Sequence, residues 1–191
     1  MSDYDRMRRP FVVISGLPGS GKTTVARRLA PALNLALIDK DDILDRLFEA
    51  KGIGDAAWRR TLSRESDVIL QRDAVNSNGA ILVSFWRLQG MPSDSGTPTD
   101  WLQAASNFVL NVHCECEPDV AARRFFERRR HPGHLDGESS YAEVLAGLQR
   151  LTRCAPLDIA PRIDVDTSRE PNLEEVVRLI RGALAALFAA F

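Results

Sequence analysis

The stretch Phe11-Val-Val-Ile-Ser-Gly16-Leu-Pro-Gly-Ser-Gly-Lys22-Thr23-Thr24 decides how the rest of the chain is read. Its opening run is β-branched and apolar and is closed by a glycine, which predicts a buried strand. From Lys22 onward, Val25, Ala26, Leu29, Ala30 and Leu33 recur at helical spacing. Between strand and helix, Gly16-Leu17-Pro18-Gly19-Ser20-Gly21-Lys22-Thr23 satisfies G-x-x-x-x-G-K-[ST] at every fixed position, in the context that motif requires. The glycines let the backbone turn tightly, so that its N–H groups form a concave nest for phosphate oxygens. The positive end of the following helix favours the same anion. Lys22 is then placed to reach the β- and γ-phosphates, and the Thr23 hydroxyl to coordinate Mg2+. These residues, with Thr24, predict binding of a nucleoside triphosphate with magnesium.

Working outward, the alternation continues. Residues 35–39 form a short apolar run ending in the acidic cluster Asp39-Lys40-Asp41-Asp42, and Ile43, Leu44, Leu47 and Phe48 resume the helical period. Residues 58–78, with Leu62, Val68, Ile69 and Val75 among many charges, predict a long surface helix. Strands are predicted over 80–85, 108–114 and 163–166, and helices over 118–130, 141–151 and 173–191. Segments 91–99 and 131–139, dense in Pro, Gly, Ser or His, read as loops. Strands alternating with helices predict an α/β fold whose mostly parallel sheet is covered on both faces. The length of 191 residues suits one domain spanning the chain, 1–191.

Composition removes several function classes. Lys and Arg total 25 against 26 Asp and Glu, a net charge of −1, so no general attraction draws the chain to nucleic acid or to an anionic membrane. The apolar run 183–191 is about half of what a membrane span needs. Three cysteines, Cys114, Cys116 and Cys154, make no disulfide framework, and residues 1–10 have no signal-peptide core. The expectation is a cytoplasmic protein, monomer or homodimer, with no membrane contact.

The loop motif leaves the fate of the γ-phosphate open, since hydrolysis, switching and transfer all begin from it. The carboxylates at the end of the second strand fall where ligands of an open α/β sheet bind. One of them could accept the proton of an acceptor hydroxyl and hold it for in-line attack. Asp41 or Asp42 could also cap the helix that follows. Arg123, Arg124, Arg128, Arg129 and Arg130 run into His131-Pro132-Gly133-His134. Arginines late in a helix complement its negative end, but five in eight positions exceed that need and predict a mobile lid, about 124–140, closing over the phosphates.

Taken together, residues 16–24, Asp39-x-Asp41-Asp42, Ser84-Phe85-Trp86-Arg87, and the run from His113-x-Cys-x-Cys116 through Arg128 to Arg130-His-Pro-Gly-His134 resemble one group of P-loop kinases. These are bacterial AAA_33-type kinases, similar to chloramphenicol phosphotransferase and the zeta-toxin kinases and more distantly to shikimate and gluconate kinases. The resemblance spans roughly residues 12–168. It implies a three-layer fold with a five-stranded parallel sheet of order 2-3-1-4-5 and an arginine-bearing lid. It implies ATP and Mg2+ as cofactors, with residues 16–24 and Arg124 at the nucleotide. It places Lys22, Asp41 and Arg128 in catalysis, with Asp41 at the acceptor hydroxyl, and Asp166-Thr167-Ser168 beside the adenine. Asp39, Asp41, Trp86 and Arg87 are the candidates for holding the acceptor. One departure stands out: the third strand ends in Ser84, where many P-loop enzymes carry a magnesium-linked aspartate. Small-molecule kinases tolerate this, with Thr23 and waters holding most of the metal's coordination sphere and Asp39 behind them.

His113, Cys114 and Cys116, with His131 and His134, invite a zinc reading. On a strand, however, Cys114 and Cys116 share one face while His113 points to the other, so buried thiols are the simpler reading. Trp58 and Trp101 are read as packing residues. The sequence thus predicts a kinase transferring the γ-phosphoryl group of ATP to a hydroxyl of a small molecule. The alternatives are a toxin- or resistance-type kinase acting on a nucleotide sugar or antibiotic, and a sensor that binds ATP without turnover. A polynucleotide kinase is disfavoured by the balanced charge, and a GTP switch by the lack of an N-K-x-D segment.

Overall fold

The computed structural model describes residues 9–92, 94–154 and 157–189. Five strands, β1 (Pro10–Gly16), β2 (Ala36–Asp39), β3 (Ala80–Val83), β4 (Phe108–Glu115) and β5 (Arg162–Asp166), form one parallel sheet of order β2-β3-β1-β4-β5. The helices are α1 (Lys22–Leu33), α2 (Lys40–Lys51), α3 (Ala56–Asn76), α4 (Asp100–Ala105), α5 (Pro118–Glu127), α6 (Tyr141–Leu151) and α7 (Leu173–Ala189). The expected fold class and strand order are those observed.

The central strand explains the layering. Phe11, Val12, Val13 and Ile14 are all fully buried, which a parallel strand covered on both faces requires. Side chains alternate between faces, so Phe11 and Val13 join a cluster with Leu44, Leu47, Leu62 and Leu102 of α2, α3 and α4. Val12 and Ile14 join a second cluster with Val25 and Leu29 of α1 and Ile180 of α7. Parallel register sets Ser15 against His113, Gly16 against Cys114 and Asp39 against Val83. The carboxyl ends of four strands therefore share one edge, where the chemistry collects.

Several local expectations are corrected. The helix expected over 118–130 ends at Glu127: Arg128 is extended (φ −72, ψ 142), and the chain passes through short 3-10 turns at Pro132–His134 and Asp136–Glu138. Pro132 disfavours helix in the residue before it, and the extended path sends Arg128 and Arg130 to carboxylates instead of solvent. The inward stripe of α3 is Leu62, Ser66, Leu70 and Ala74, whereas Val68 is 67% exposed. The cap of α2 is Asp39, whose side chain accepts from the Asp41 N–H, and not Asp41 or Asp42. Strand β3 stops at Val83, and α4 is an additional short helix. No helix among the described residues is long and apolar enough to cross a membrane. Phe191, the end of the expected last helix, lies outside the described residues.

Candidate active site

The loop between β1 and α1 is shaped by close approach. At Gly19 (φ +82) any Cβ would collide with the Ala121 carbonyl of α5, so a side chain cannot be accommodated. Gly21 (φ +89) precedes α1 in a left-handed conformation and faces open space. No side chain caps α1, so its first N–H groups lack intrahelical partners and are available to an anion. Lys22 Nζ meanwhile donates to the carbonyls of its own loop, Gly16 at 3.0 Å and Leu17 at 2.8 Å. Burial pushes its ammonium down to about 8.

The end of β2 supplies two carboxylates with different surroundings. Asp39 is almost fully buried; its Oδ2 accepts from the Thr23 hydroxyl at 2.7 Å and its Oδ1 from the Asp41 N–H at 3.0 Å. Burial, followed by the neighbouring Asp41 charge, raises Asp39 to about 6. At Asp41 burial also acts upward, but Arg130, His134, Lys22 and Arg128 outweigh it and hold the carboxyl below the usual range. Lys40, between them, turns away and pairs with Asp67 of α3 at 2.6 Å and Thr97 at 3.1 Å. Ser84, in the place of the absent aspartate, is bound to the same Thr97 hydroxyl.

The segment after α5 closes over these groups. Arg130 reaches Asp41 at 2.6 Å and Asp136 at 3.1 Å. Arg128 pairs with Asp136 at 3.3 Å and lies over the Phe125 ring, 4.3 Å from its centre. The tip docks on α2: His134 meets Asp45 at 2.6 Å, His131 stacks on Phe48, and Gly133 sits so close to Phe48 that a Cβ would be 2.5 Å from the ring. Arg124 instead donates to the carbonyls of Thr167 at 2.6 Å and Ser168 at 3.0 Å. It thereby joins α5 to the segment after β5, the one the family resemblance expects beside the adenine.

A cavity of about 830 Å³ gathers this machinery, from Gly19, Lys22, Thr23 and Thr24 across Asp39 and Asp41 to Arg124, Arg128 and Arg130. That size suits a small-molecule site. Arg59 of α3 borders it too, a residue the sequence reading passed over among the charges of a surface helix. Its Nε is buried without a partner, and burial followed by the Arg130 charge lowers its pKa. The structure does not bring Trp86 and Arg87 here. The Trp86 indole N–H donates to the Ile14 carbonyl in the core, and Arg87 donates to the Ser95 carbonyl. The zinc candidates do not converge either: Cys114 packs into the α1/α7 cluster, burial pushes its thiol up to about 12, and His113 faces the opposite side.

Residues 11–152 match the family described as AAA domain, AAA_33. The chain belongs to that family. Among curated relatives, shikimate kinase of Corynebacterium glutamicum is 40% identical over 76 residues, 39% of this chain and 45% of that protein. The enzyme of Corynebacterium efficiens is 39% identical over 89 residues, 42% of this chain and 53% of that one. This chain thus spans about half the length of those relatives. Among solved structures, a Chloroflexus aurantiacus protein described as a candidate kinase superposes with a TM-score of 0.75 at 23% identity, covering 92% of this chain and 98% of that one. Shikimate kinase of Bacteroides thetaiotaomicron gives 0.58 at 18% identity, covering 92% and 98%. At such identities the structures share the fold.

In this AAA_33 chain the raised value of Asp39 has a thermodynamic consequence. An acid whose folded value is raised binds its proton more tightly in the native chain. Native stability from this group therefore increases as pH falls from about 6 towards 3.8 and is lost as pH rises through that window. The difference corresponds to roughly 3 kcal/mol against the ionised native state. Asp39→Asn is expected to raise the melting temperature of the nucleotide-free protein at neutral pH, with the gain fading towards pH 4, while weakening magnesium-dependent nucleotide binding. Thermal melts across pH and nucleotide titrations with and without Mg2+ check both halves. A variant less stable at neutral pH contradicts the assignment.

Proposed function

We propose that the protein is an ATP-dependent kinase that transfers the γ-phosphoryl group to a hydroxyl of a small molecule carrying an anionic group. The observation that carries this reading is the set of groups around one cavity: Lys22 on the phosphate loop, Asp41 in the first turn of α2, and Arg130 bound to Asp41. A carboxylate so placed can orient an acceptor hydroxyl and take its proton. The acceptor oxygen forms a bond to the γ-phosphorus, the bond from that phosphorus to the bridging oxygen of ADP breaks, and the hydroxyl proton passes to Asp41. Because its neighbours hold Asp41 low, it orients the hydroxyl and takes the proton late, which suits a loose, metaphosphate-like transition state.

The chain's own residues divide the remaining work. The uncapped start of α1 and the loop N–H groups bind the phosphates, and Lys22 leaves its loop carbonyls for the β- and γ-oxygens. Thr23 gives its proton to Asp39, so its oxygen lone pairs are available to a hard cation, and these residues fit magnesium. When bound, Mg2+ supplies charge neutralisation between the β- and γ-phosphates. Arg128 and Arg130 act as the lid cations, excluding water and stabilising charge as it develops. Arg124 and the Thr167–Ser168 carbonyls border the nucleotide's base. Arg59, partly buried at the acceptor end with its Nε unpartnered, supports the anionic group, since a buried N–H without an acceptor calls for one.

Incubation with γ-labelled ATP and Mg2+ in a metabolite extract tests the reading. A labelled small molecule is expected, absent with Lys22→Ala. ATP that binds tightly in a Lys22-dependent way, with no labelled product from any extract, overturns the reading in favour of a sensor. With the acceptor in hand, Arg59→Met is expected to raise its KM about 10- to 100-fold, the loss of one charge-assisted contact, with kcat little changed. An unchanged KM removes the anionic group from the proposal.

A further inference from the structure

On the α2–α4 side of the sheet, beneath the phosphate loop, lies a second cavity of about 960 Å³, bordered at one end by Asp166 and Ser168 of the segment after β5. Its floor is Ser15 of β1 and His113 of β4, register partners in the parallel pair. Leu17, Phe85, Trp86, Leu88 and Leu151 give it apolar walls. Phe85 lines the phosphate cavity as well, so the two spaces abut there.

Proton accounting on the floor fixes what it can recognise. The buried Ser15 hydroxyl has one proton and donates it to Asn111 Oδ1 at 2.7 Å. With the Asn111 amide oxygen turned to Ser15, the bond to His113 Nδ1, 2.9 Å from the same hydroxyl oxygen, takes its proton from Nδ1. Burial, followed by the Arg162 charge, lowers the pKa of His113, which keeps the ring neutral at neutral pH. The remaining ring nitrogen, Nε2, is then a bare acceptor with no partner among the described residues. Asn111 is fully buried and its Nδ2 is orphaned. Such groups are few in native proteins and call for an explanation. Here the amide turns its oxygen to Ser15, the orientation that sets the imidazole tautomer.

We propose that this cavity receives the remote, non-reacting end of the acceptor, an apolar ring or chain bearing a hydroxyl or N–H that donates to His113 Nε2. This rests on the kinase reading above. The acceptor's reacting hydroxyl lies at Asp41, and its remaining skeleton passes Phe85 to lie under Leu17. His113 thereby selects acceptors that carry a second hydrogen-bond donor over those that lack one, because an acceptor atom covered by a ligand that cannot pair with it loses its water at a cost.

Phenol and anisole, which share a ring but differ in the donor, are the probes. The chain has only three histidines, so the ring nitrogens of His113, His131 and His134 are resolvable in 15N-labelled protein. The free protein is expected to show the Nδ1–H tautomer at His113, and millimolar phenol to move the Nε2 resonance while anisole does not. In the extract assay, His113→Phe is expected to lower labelled product about tenfold below saturation, one hydrogen bond's worth, with MgATP affinity unchanged. An Nε2–H tautomer, no response to phenol, or an equal response to anisole overturns the recognition by His113. Phenol binding combined with undiminished labelling in His113→Phe overturns the acceptor's place in the cavity. Phenol binding with no labelled product from wild-type protein overturns the kinase reading alone and leaves a donor-recognising site standing.

Discussion

Asp41→Asn is expected to lower kcat by about 10²–10⁴, the range for a positioned proton acceptor, while nucleotide affinity changes little. The amide keeps the size of the carboxylate and can still receive an acceptor hydroxyl, but it cannot take a proton. The change has a second arm, because Asp41 is the partner of Arg130 at 2.6 Å. Without it Arg130 keeps Asp136 at 3.1 Å, so the segment after α5 stays folded over the cavity. Freed from one carboxylate, Arg130 is more available to the phosphates, and MgATP is expected to bind as tightly as to wild type or more so. Steady-state rates with the identified acceptor, beside equilibrium MgATP titrations, separate the two arms. A kcat within a few-fold of wild type removes Asp41 from proton transfer.

Lys22→Met is expected to reduce phosphoryl transfer by about 10²–10³, the effect of removing a preorganised charge from the transition state, and to weaken MgATP binding as well. In the nucleotide-free chain the same substitution acts in the opposite direction. Burial holds the ammonium at about 8 against an ordinary 10.5, so the native state carries a charge it would rather lose. A base whose folded value is lowered contributes stability that grows as pH rises from about 8 to 10.5 and is absent below. A methionine of similar length removes that burden at neutral pH, so the melting temperature is expected to match or exceed that of wild type. Calorimetry of the free variant and rate measurements on the loaded enzyme check the pair of effects. A variant that is both inactive and strongly destabilised would assign Lys22 a structural role through its bonds to Gly16 and Leu17.

Lys22 and Asp39 make the same point from opposite charges. Each is held in the ionised form that its burial disfavours, and each has a ligand group waiting to relieve it. Local strain and unmet electrostatics concentrate where a ligand completes the structure. Stabilising substitutions at these two positions are therefore expected to abolish what the site does, a trade-off common at functional sites.

Short-range pattern encodes the central unit of the fold. The run 11–15, the glycines and Lys22-Thr23, and the 3.6-residue stripe of α1 all lie within a span of 23 residues, so one reading of spacing yields strand, phosphate nest and helix together. The alternation of such units was enough for the sheet and its order once the resemblance was added. Tertiary structure alone decided the pairings. Arg130 meets Asp41 across 89 positions of chain, and no periodicity distinguishes it from its neighbours Arg128 and Arg129. Arg59 looked like one charge among many on a surface helix, and only the packing of α3 on the sheet leaves its Nε without a partner at the cavity. Trp86 follows a strand end, where acceptor sites lie, yet its N–H is bound to the Ile14 carbonyl and its ring lines the second cavity, not the one holding Asp41. Ser15 and His113 are 98 residues apart and become neighbours through the parallel register of β1 with β4. Each of these depends on which long-range partner a polar group finds when buried, and that choice is made by the fold as a whole, because a polar group taken out of water must be paired wherever the packing puts it.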